Sequence, residues 1–218
     1  SVARERGLEG LATLLFAQAG GPPALKAAQR YVNPEKEVPT AQDALAGALD
    51  IIAEDLSDDA RLRGLLRGFT LHTGKVTSKA AIKDDSVYAQ YYDFAQALAK
   101  IADHQVLALD RGEREKALKV AIEVDPEQAI DIVTGAFVKN DSEYGRLVAQ
   151  AASDAYTRLI APSLERELRA GLIERAAEGA IHLFSENLRQ LLLAPPIKGK
   201  VALGMDPGYR MGCKLAVV

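Results

Sequence analysis

A mainly α-helical fold is predicted by three features of the sequence. The core material is aliphatic, because Trp is absent and aromatic residues make up only 6%, and Leu- and Ala-rich chain favours helix. Apolar residues recur at spacings of three and four through most of the 218 residues, which is the period of one helix face. Clear strand-type alternation is confined to one internal stretch and the C-terminal residues. The expected architecture is a multi-helical region with a long central helix, a small internal β element and a terminal truncated β-hairpin.

The elements follow in order. In "RGLEGLATLLFAQAGGPP", Leu8, Leu11, Leu14 and Leu15 share a helical face, and Gly20, Gly21 and Pro22 are the stop. A short helix is expected over 23–32, then a turn at "NPEKEVPT". Thr40 and Asp43 have capping-box spacing, with Asp in place of the usual Glu, and open a helix striped by Leu45, Leu49, Ile52 and Leu56. Asp58 is placed to cap the next helix, striped by Leu62, Leu65, Leu66 and Phe69 and stopped at Gly74. "KVTSKAAIKDD" is compatible with extended chain or helix. "SVYAQYYDFAQALAKIAD" reads as helix with a break near Phe94.

From His104 a helix is expected to end at Gly112. "ALKVAIEV" is the internal strand, since Leu118, Val120, Ile122 and Val124 alternate with other residues. Asp125 as cap and Pro126 in the first turn open another helix. The final helical region is the longest. It is expected to break at Pro162 and then to run on a stripe of Leu164, Leu168, Leu172, Ala176, Ala180, Phe184, Leu188 and Leu191. Thirty helical residues would span about 45 Å, enough to brace two regions of a larger molecule. "APPIKGK" ends the helix, and apolar runs at 200–205 and 214–218 flank the turn "DPGYRMG".

Composition excludes several classes. A net charge of −3 is unlike a domain that grips phosphate backbones by itself, which is usually strongly basic. One cysteine, Cys213, excludes an intramolecular disulfide and a cysteine-based metal site. No apolar run approaches the ~18 residues of a membrane span. The opening "SVARERG" lacks a signal-peptide pattern, so a cytoplasmic location without membrane partners is expected.

Candidates for chemistry are few. "AGGPPA" has glycines but no Lys-Ser/Thr, so it terminates a helix rather than cradling phosphate. His72, His104 and His182 are far apart and none has metal-ligand spacing. Lys75, Lys79 and Lys83 lie four apart. On a helix they would share a face able to touch phosphates, against the plainer reading of a solvated face. Asp206 follows an apolar strand and precedes Pro-Gly. A carboxylate at a strand terminus is what a ribonuclease-H-type nuclease needs as a Mg²⁺ ligand, yet two-metal chemistry needs further carboxylates nearby. Asp also simply favours turns. No catalytic residue, metal or cofactor is expected.

The stretch "LRQLLLAPPIKGKVALGMDPGYRMGCKLAVV" resembles the junction in the Tex family of transcription accessory proteins. There a long helix passes through "NLxxLLLAPP" into the first strand of a YqgF/RuvC-like domain. "YVNPEKEVPTAQDALAGALDIIAEDLSDD", "HQVLALDRGEREKALKV" and "PSLERELRAGLIERAAEGAIHLFSENL" are similar to the family too. The departures are Ala102, Gln105 and Asp110, and Met205 and Met211 in "GMDPGYRMG".

The resemblance implies an organisation of residues 1–103 as a helical region with helix-turn-helix character and 104–196 as a central helical region with the long helix. Residues 197–218 would be the start of a YqgF/RuvC-like domain whose remainder is missing, with Asp206 a relic carboxylate. It implies a non-catalytic scaffold in a nucleic-acid-binding, RNA-binding transcription factor. The binding would lie mainly in a C-terminal OB-fold domain absent from this chain, and the partners would be RNA or DNA and the transcription machinery. The alternatives are a piece of a resolvase-like nuclease, or a helix-turn-helix DNA-binding module.

Overall fold

In the computed structural model the described residues are 2–83, 86–195, 198–208, 210 and 212–218. The chain divides into two compact units, residues 1–178 and 179–218. The elements are α1 (Val2–Glu5), α2 (Glu9–Ala17), α3 (Ala24–Ala28), α4 (Ala41–Asp58), α5 (Ala60–Thr73), β1 (Lys75–Ala80), β2 (Asp93–Ala97), α6 (Asp103–Arg114), β3 (Leu118–Glu123), α7 (Pro126–Phe137), α8 (Glu143–Asp154), a π turn (Ala155–Ile160), α9 (Ala161–Leu192), β4 (Leu203–Gly208) and β5 (Gly212–Val217). The fold is mainly α, with a long central helix and two small sheets, as the periodicity indicates.

The helix starts are set locally. Thr40 and Asp43 form a reciprocal capping box: the Asp43 N–H donates to Thr40 Oγ1 at 3.2 Å and the Thr40 N–H to Asp43 Oδ2 at 3.1 Å. Thr40→Ala should lower stability by about 1 kcal/mol, read as a shift in denaturation midpoint with unchanged slope. Asp125 caps α7 with Pro126 in its first turn. The cap of α5 is Asp59, one residue beyond the expected Asp58: its carboxylate accepts the Leu62 N–H at 2.7 Å. Asp58 is the last residue of α4, so the two helices meet at a single extended residue. Gly74 closes α5, donating its N–H to the Thr70 carbonyl at 2.8 Å. The N-terminal helix α2 stops at Ala17, before the Gly-Pro signal, because Gln18 takes a left-handed conformation (φ 54°).

The internal β element is larger than one strand. It is a three-stranded antiparallel sheet in the order β2-β1-β3. "KVTSKA" is therefore extended, and "DFAQA", expected to be helical, is the edge strand β2. The apolar pattern in 86–103 is too short to hold a helix against pairing with β1. Val76, Ser78 and Leu118 turn to the buried face, over α6 and α9. The outer edge of β3 is covered by side chains. Glu113 and Glu165 accept the N–H groups of Val120 and Ile122 at 3.3 and 3.1 Å. Arg169 donates to the Val120 carbonyl at 3.2 Å and pairs with Glu113. Pairing those groups removes the open edge that invites another strand.

The long helical region does not end at Pro162. It continues from α8 through the π turn into α9, with Pro162 as the second residue of α9. Proline lacks an N–H and its ring crowds the carbonyl four residues back. The wider π turn immediately before it absorbs that misfit without ending the helix. Leu164, Leu168, Leu172 and Ala176 are buried as the stripe requires.

The second unit holds α9 from Gly179 onward and the β4–β5 hairpin. Phe184, Leu188 and Leu191, which continue the stripe, are exposed there. Strands β4 and β5 pair antiparallel from Leu203↔Val217 to Gly208↔Gly212. Tyr209 and Met211 of the "DPGYRMG" turn, and Pro196 and Ile197 of "APPIKGK", lie outside the described residues.

Candidate nucleic-acid interface

Between Asp59 and Asp84 the sequence contains no acidic residue and six basic ones: Arg61, Arg63, Arg67, Lys75, Lys79 and Lys83. This run covers α5, β1 and the bend that follows. It is a local exception in a chain of net charge −3, and it is the strongest electrostatic feature compatible with phosphate.

The structure sorts these cations by what they touch. The Arg63 guanidinium is engaged inside the fold, donating to the Ser57 carbonyl at 3.1 Å and to Ser163 Oγ at 2.8 Å. Arg67 pairs with Glu167 at 3.0 Å. Arg61 is exposed on α5. Lys75 and Lys79 stand on β1, not on a helix, and share a face because their separation is even. Lys83 is exposed in the bend beyond the strand. The three lysines therefore do not form one helical stripe. Two stand on the open sheet face, about 13 Å apart along the strand, and the third follows.

Strand pairing completes that face. Lys75 is flanked by Ala97 and Glu123, Thr77 by Ala95 and Ala121, and Lys79 by Asp93 and Lys119. The middle is flat and small, with lysines towards both ends. Lys79 and Lys119 stand directly opposite on neighbouring strands, an arrangement of like charges that costs stability unless an anion or a carboxylate offsets it. Asp93, on the other side of Lys79, supplies part of that offset. Lysine spacing alone does not find Lys119 or Arg61. The acid-free run is the available signal for Arg61, and only the sheet register reveals Lys119.

Asp206 lies within β4, opposite Lys214 on β5, rather than at a strand terminus. The strand starts three residues later than the apolar run suggests and carries Asp206 and Pro207 inside the ladder. A cross-strand cation beside the carboxylate favours a structural pairing. Among the described residues no group of three or more His, Cys, Asp or Glu is placed to hold a metal ion. His72 and His104 are exposed, His182 lies 3.5 Å from Glu186 one turn along α9, and Cys213 is an exposed free thiol. Gln105, one of the residues that departs from the Tex pattern, acts locally. Its side-chain oxygen accepts the Ala102 N–H at 3.1 Å at the start of α6. Among the described residues no helix is long and apolar enough to cross a membrane.

Comparison with known proteins places these features. A family model described as Tex central region-like matches residues 22–184. An uncharacterized protein of Bacillus subtilis, YdcI, is 44% identical over 222 residues, covering 100% of this chain and 31% of that protein. The transcriptional accessory protein Tex of Neisseria gonorrhoeae is 34% identical over 236 residues, covering 100% of this chain and 30% of that protein. The human S1 RNA-binding domain-containing protein 1 is 32% identical over 234 residues, covering 99% of this chain and 23% of that protein. The chain thus spans less than a third of the length of these relatives. With the family model matched across most of its residues, the chain belongs to the Tex family, to the part described as central region-like.

Proposed function

We propose that this chain is a non-catalytic helical scaffold of a cytoplasmic, Tex-like transcription accessory protein. Its own contact with nucleic acid is weak, sequence-independent and electrostatic. The observation that carries this reading is the acid-free run from Ala60 to Lys83, which presents Arg61, Lys75, Lys79 and Lys83 outward while Arg63 and Arg67 are held by protein partners. The relatives' names, one a transcriptional accessory protein and one an S1 RNA-binding domain-containing protein, support nucleic acid as the partner. In the longer protein the tighter binding would come from the OB-fold domain, and residues 197–218 would open the YqgF/RuvC-like domain.

A helix-turn-helix reading draws on α4 and α5, which meet at Asp59, and on the absence of acidic residues in α5. It is the weaker reading, because a recognition helix needs several free side chains at base edges and two of the three arginines of α5 are engaged. The nuclease reading rests on Asp206 alone. Two-metal hydrolysis requires several ligands around ions about 4 Å apart. Incubation with Mg²⁺ and RNA, duplex DNA or branched junctions is expected to give no cleavage. Cleavage that vanishes in Asp206→Asn would replace the scaffold by an enzyme.

A further inference from the structure

The two edges of the three-stranded sheet are finished differently. On β3 the outward backbone groups of Val120 and Ile122 are taken up by Glu113, Glu165 and Arg169. On β2 the outward groups stay open. The ladder between β2 and β1 runs through even-numbered residues: the Leu98 N–H donates to the Gly74 carbonyl at 2.9 Å and the Ala80 N–H to the Tyr92 carbonyl at 3.1 Å. By alternation, the N–H and C=O groups of Asp93, Ala95 and Ala97 turn to the outer edge. Among the described residues none of these groups has a hydrogen-bond partner. Asp93 and Ala95 are exposed, and the strand holds neither a proline nor a bulge. Such an edge is a template for another strand.

The pattern along this edge is complementary to itself. Asp93, Ala95 and Ala97 share the open sheet face with their β1 neighbours Lys79, Thr77 and Lys75. A two-fold axis normal to the sheet at Ala95 lays a second copy of β2 antiparallel to the first. Ala95 then meets Ala95, and Asp93 meets Ala97. Behind that Ala97 stands its cross-strand neighbour Lys75. The Asp93 and Lys75 backbones are then two strand spacings apart, about 10 Å. The alanine between them leaves the path over the sheet clear, so carboxylate and ammonium can lean together. The central row of Ala121, Thr77 and Ala95 is small and uncharged, so nothing bulky or like-charged meets on the axis. A carboxylate at one end of a strand and a lysine behind the other end is the charge pattern that antiparallel self-pairing matches.

We propose that β2 is a homodimerisation edge, at which two copies of this chain pair β2 to β2, antiparallel and centred on Ala95, into one continuous sheet. The Ala95–Ala95 pair and the Asp93–Ala97 pairs on either side of it each exchange both bonds, about six in all. The contact is isologous, as a closed two-fold dimer requires. Each copy contributes the 5 residues of β2, far fewer than the roughly 20–30 a side of a standard interface, so the dimer is weak and forms only at high concentration. Because the axis is normal to the sheet, both lysine faces lie on the same side. Pairing thereby doubles the basic surface offered to nucleic acid, which extends the reading above without resting on it.

Sedimentation velocity of the full chain without nucleic acid, from about 10 μM to about 1 mM, should show a monomer–dimer equilibrium with a Kd on the order of 0.1 mM. Amide hydrogen exchange at Asp93, Ala95 and Ala97 should slow over the same range. Ala95→Pro removes an outward N–H that the ladder within one chain does not use. Ala95→Lys sets two ammonium groups opposite each other on the axis. Each change should raise the Kd at least tenfold with an unchanged circular dichroism spectrum; where the proline variant unfolds, the lysine variant alone decides. A chain that stays monomeric at about 1 mM overturns the proposal. So does dimerisation that survives either folded variant, which would place the contact elsewhere, as on the exposed apolar residues of α9. With no nucleic acid present, the outcome is independent of the lysine-face reading.

Discussion

Gln18→Leu is expected to lower the stability of the chain by about 2–4 kcal/mol. Gln18 follows α2 and is 4% exposed. Its side-chain Nε2 donates to the Phe137 carbonyl at 2.8 Å and its Oε1 accepts the Lys139 N–H at 2.7 Å. Its own carbonyl accepts from Asn140 Nδ2 at 3.0 Å. One amide thus satisfies both a donor and an acceptor on the chain leaving α7, more than a hundred residues away. Leucine fills similar space but leaves both partly buried backbone groups without their side-chain partner, each costing about 1–3 kcal/mol. The neighbouring contacts, Tyr144 hydroxyl to the Pro22 carbonyl at 2.8 Å and the Ala24 N–H to Glu143 at 3.1 Å, would loosen with it. Chemical denaturation should show a lower midpoint at unchanged slope. A change below about 0.5 kcal/mol would mean that water replaces the amide without loss.

Gly145→Ala is expected to cost about 3 kcal/mol or more. A methyl at this position would lie 1.9 Å from the Asn140 carbonyl oxygen, far inside contact distance. That oxygen belongs to backbone, and the turn carrying it is fixed from several sides. The Ser142 N–H donates to Asn140 Oδ1 at 3.1 Å, the Gly145 N–H donates to Ser142 Oγ at 3.1 Å, and Asn140 also binds Gln18. Relief therefore requires unwinding the first turn of α8. Gly135→Ala is the matched control: nothing lies within 4 Å of its added methyl, and alanine in the body of α7 should stabilise by about 0.5–1 kcal/mol. Thermal melts of the two variants should move in opposite directions.

What the sequence disclosed is what short segments decide. The Thr40–Asp43 box and the Asp125–Pro126 start need only neighbours within one turn, and both hold. Strand β3 shows itself by alternation. Strand β2 does not, because "DFAQA" has little apolar alternation and is extended only by pairing with β1. The π turn stays hidden because Pro162 announces a disturbance without saying how the helix absorbs it. The Gln18 bridge joins residues too distant for any local pattern. For the candidate interface, lysine spacing suggests a helix face, yet an even spacing serves a strand equally well, and Lys75 and Lys79 stand on one face of a strand, about 13 Å apart. The acid-free run that adds Arg61 is present in the sequence but crosses a helix–strand boundary.

The central claim, a scaffold whose own grip on nucleic acid is weak and electrostatic, is tested most directly by a salt titration of binding. Fluorescence anisotropy of a labelled DNA duplex, between about 50 and 200 mM salt, gives the slope of log K against log salt, about −0.9 for each phosphate neutralised. Weak binding at physiological salt is predicted, with a slope no steeper than about −4 from Arg61, Lys75, Lys79 and Lys83. The triple change of these lysines to Glu should flatten it. Tight binding at physiological salt that survives the triple change would contradict the scaffold reading and favour a dedicated DNA-binding helix.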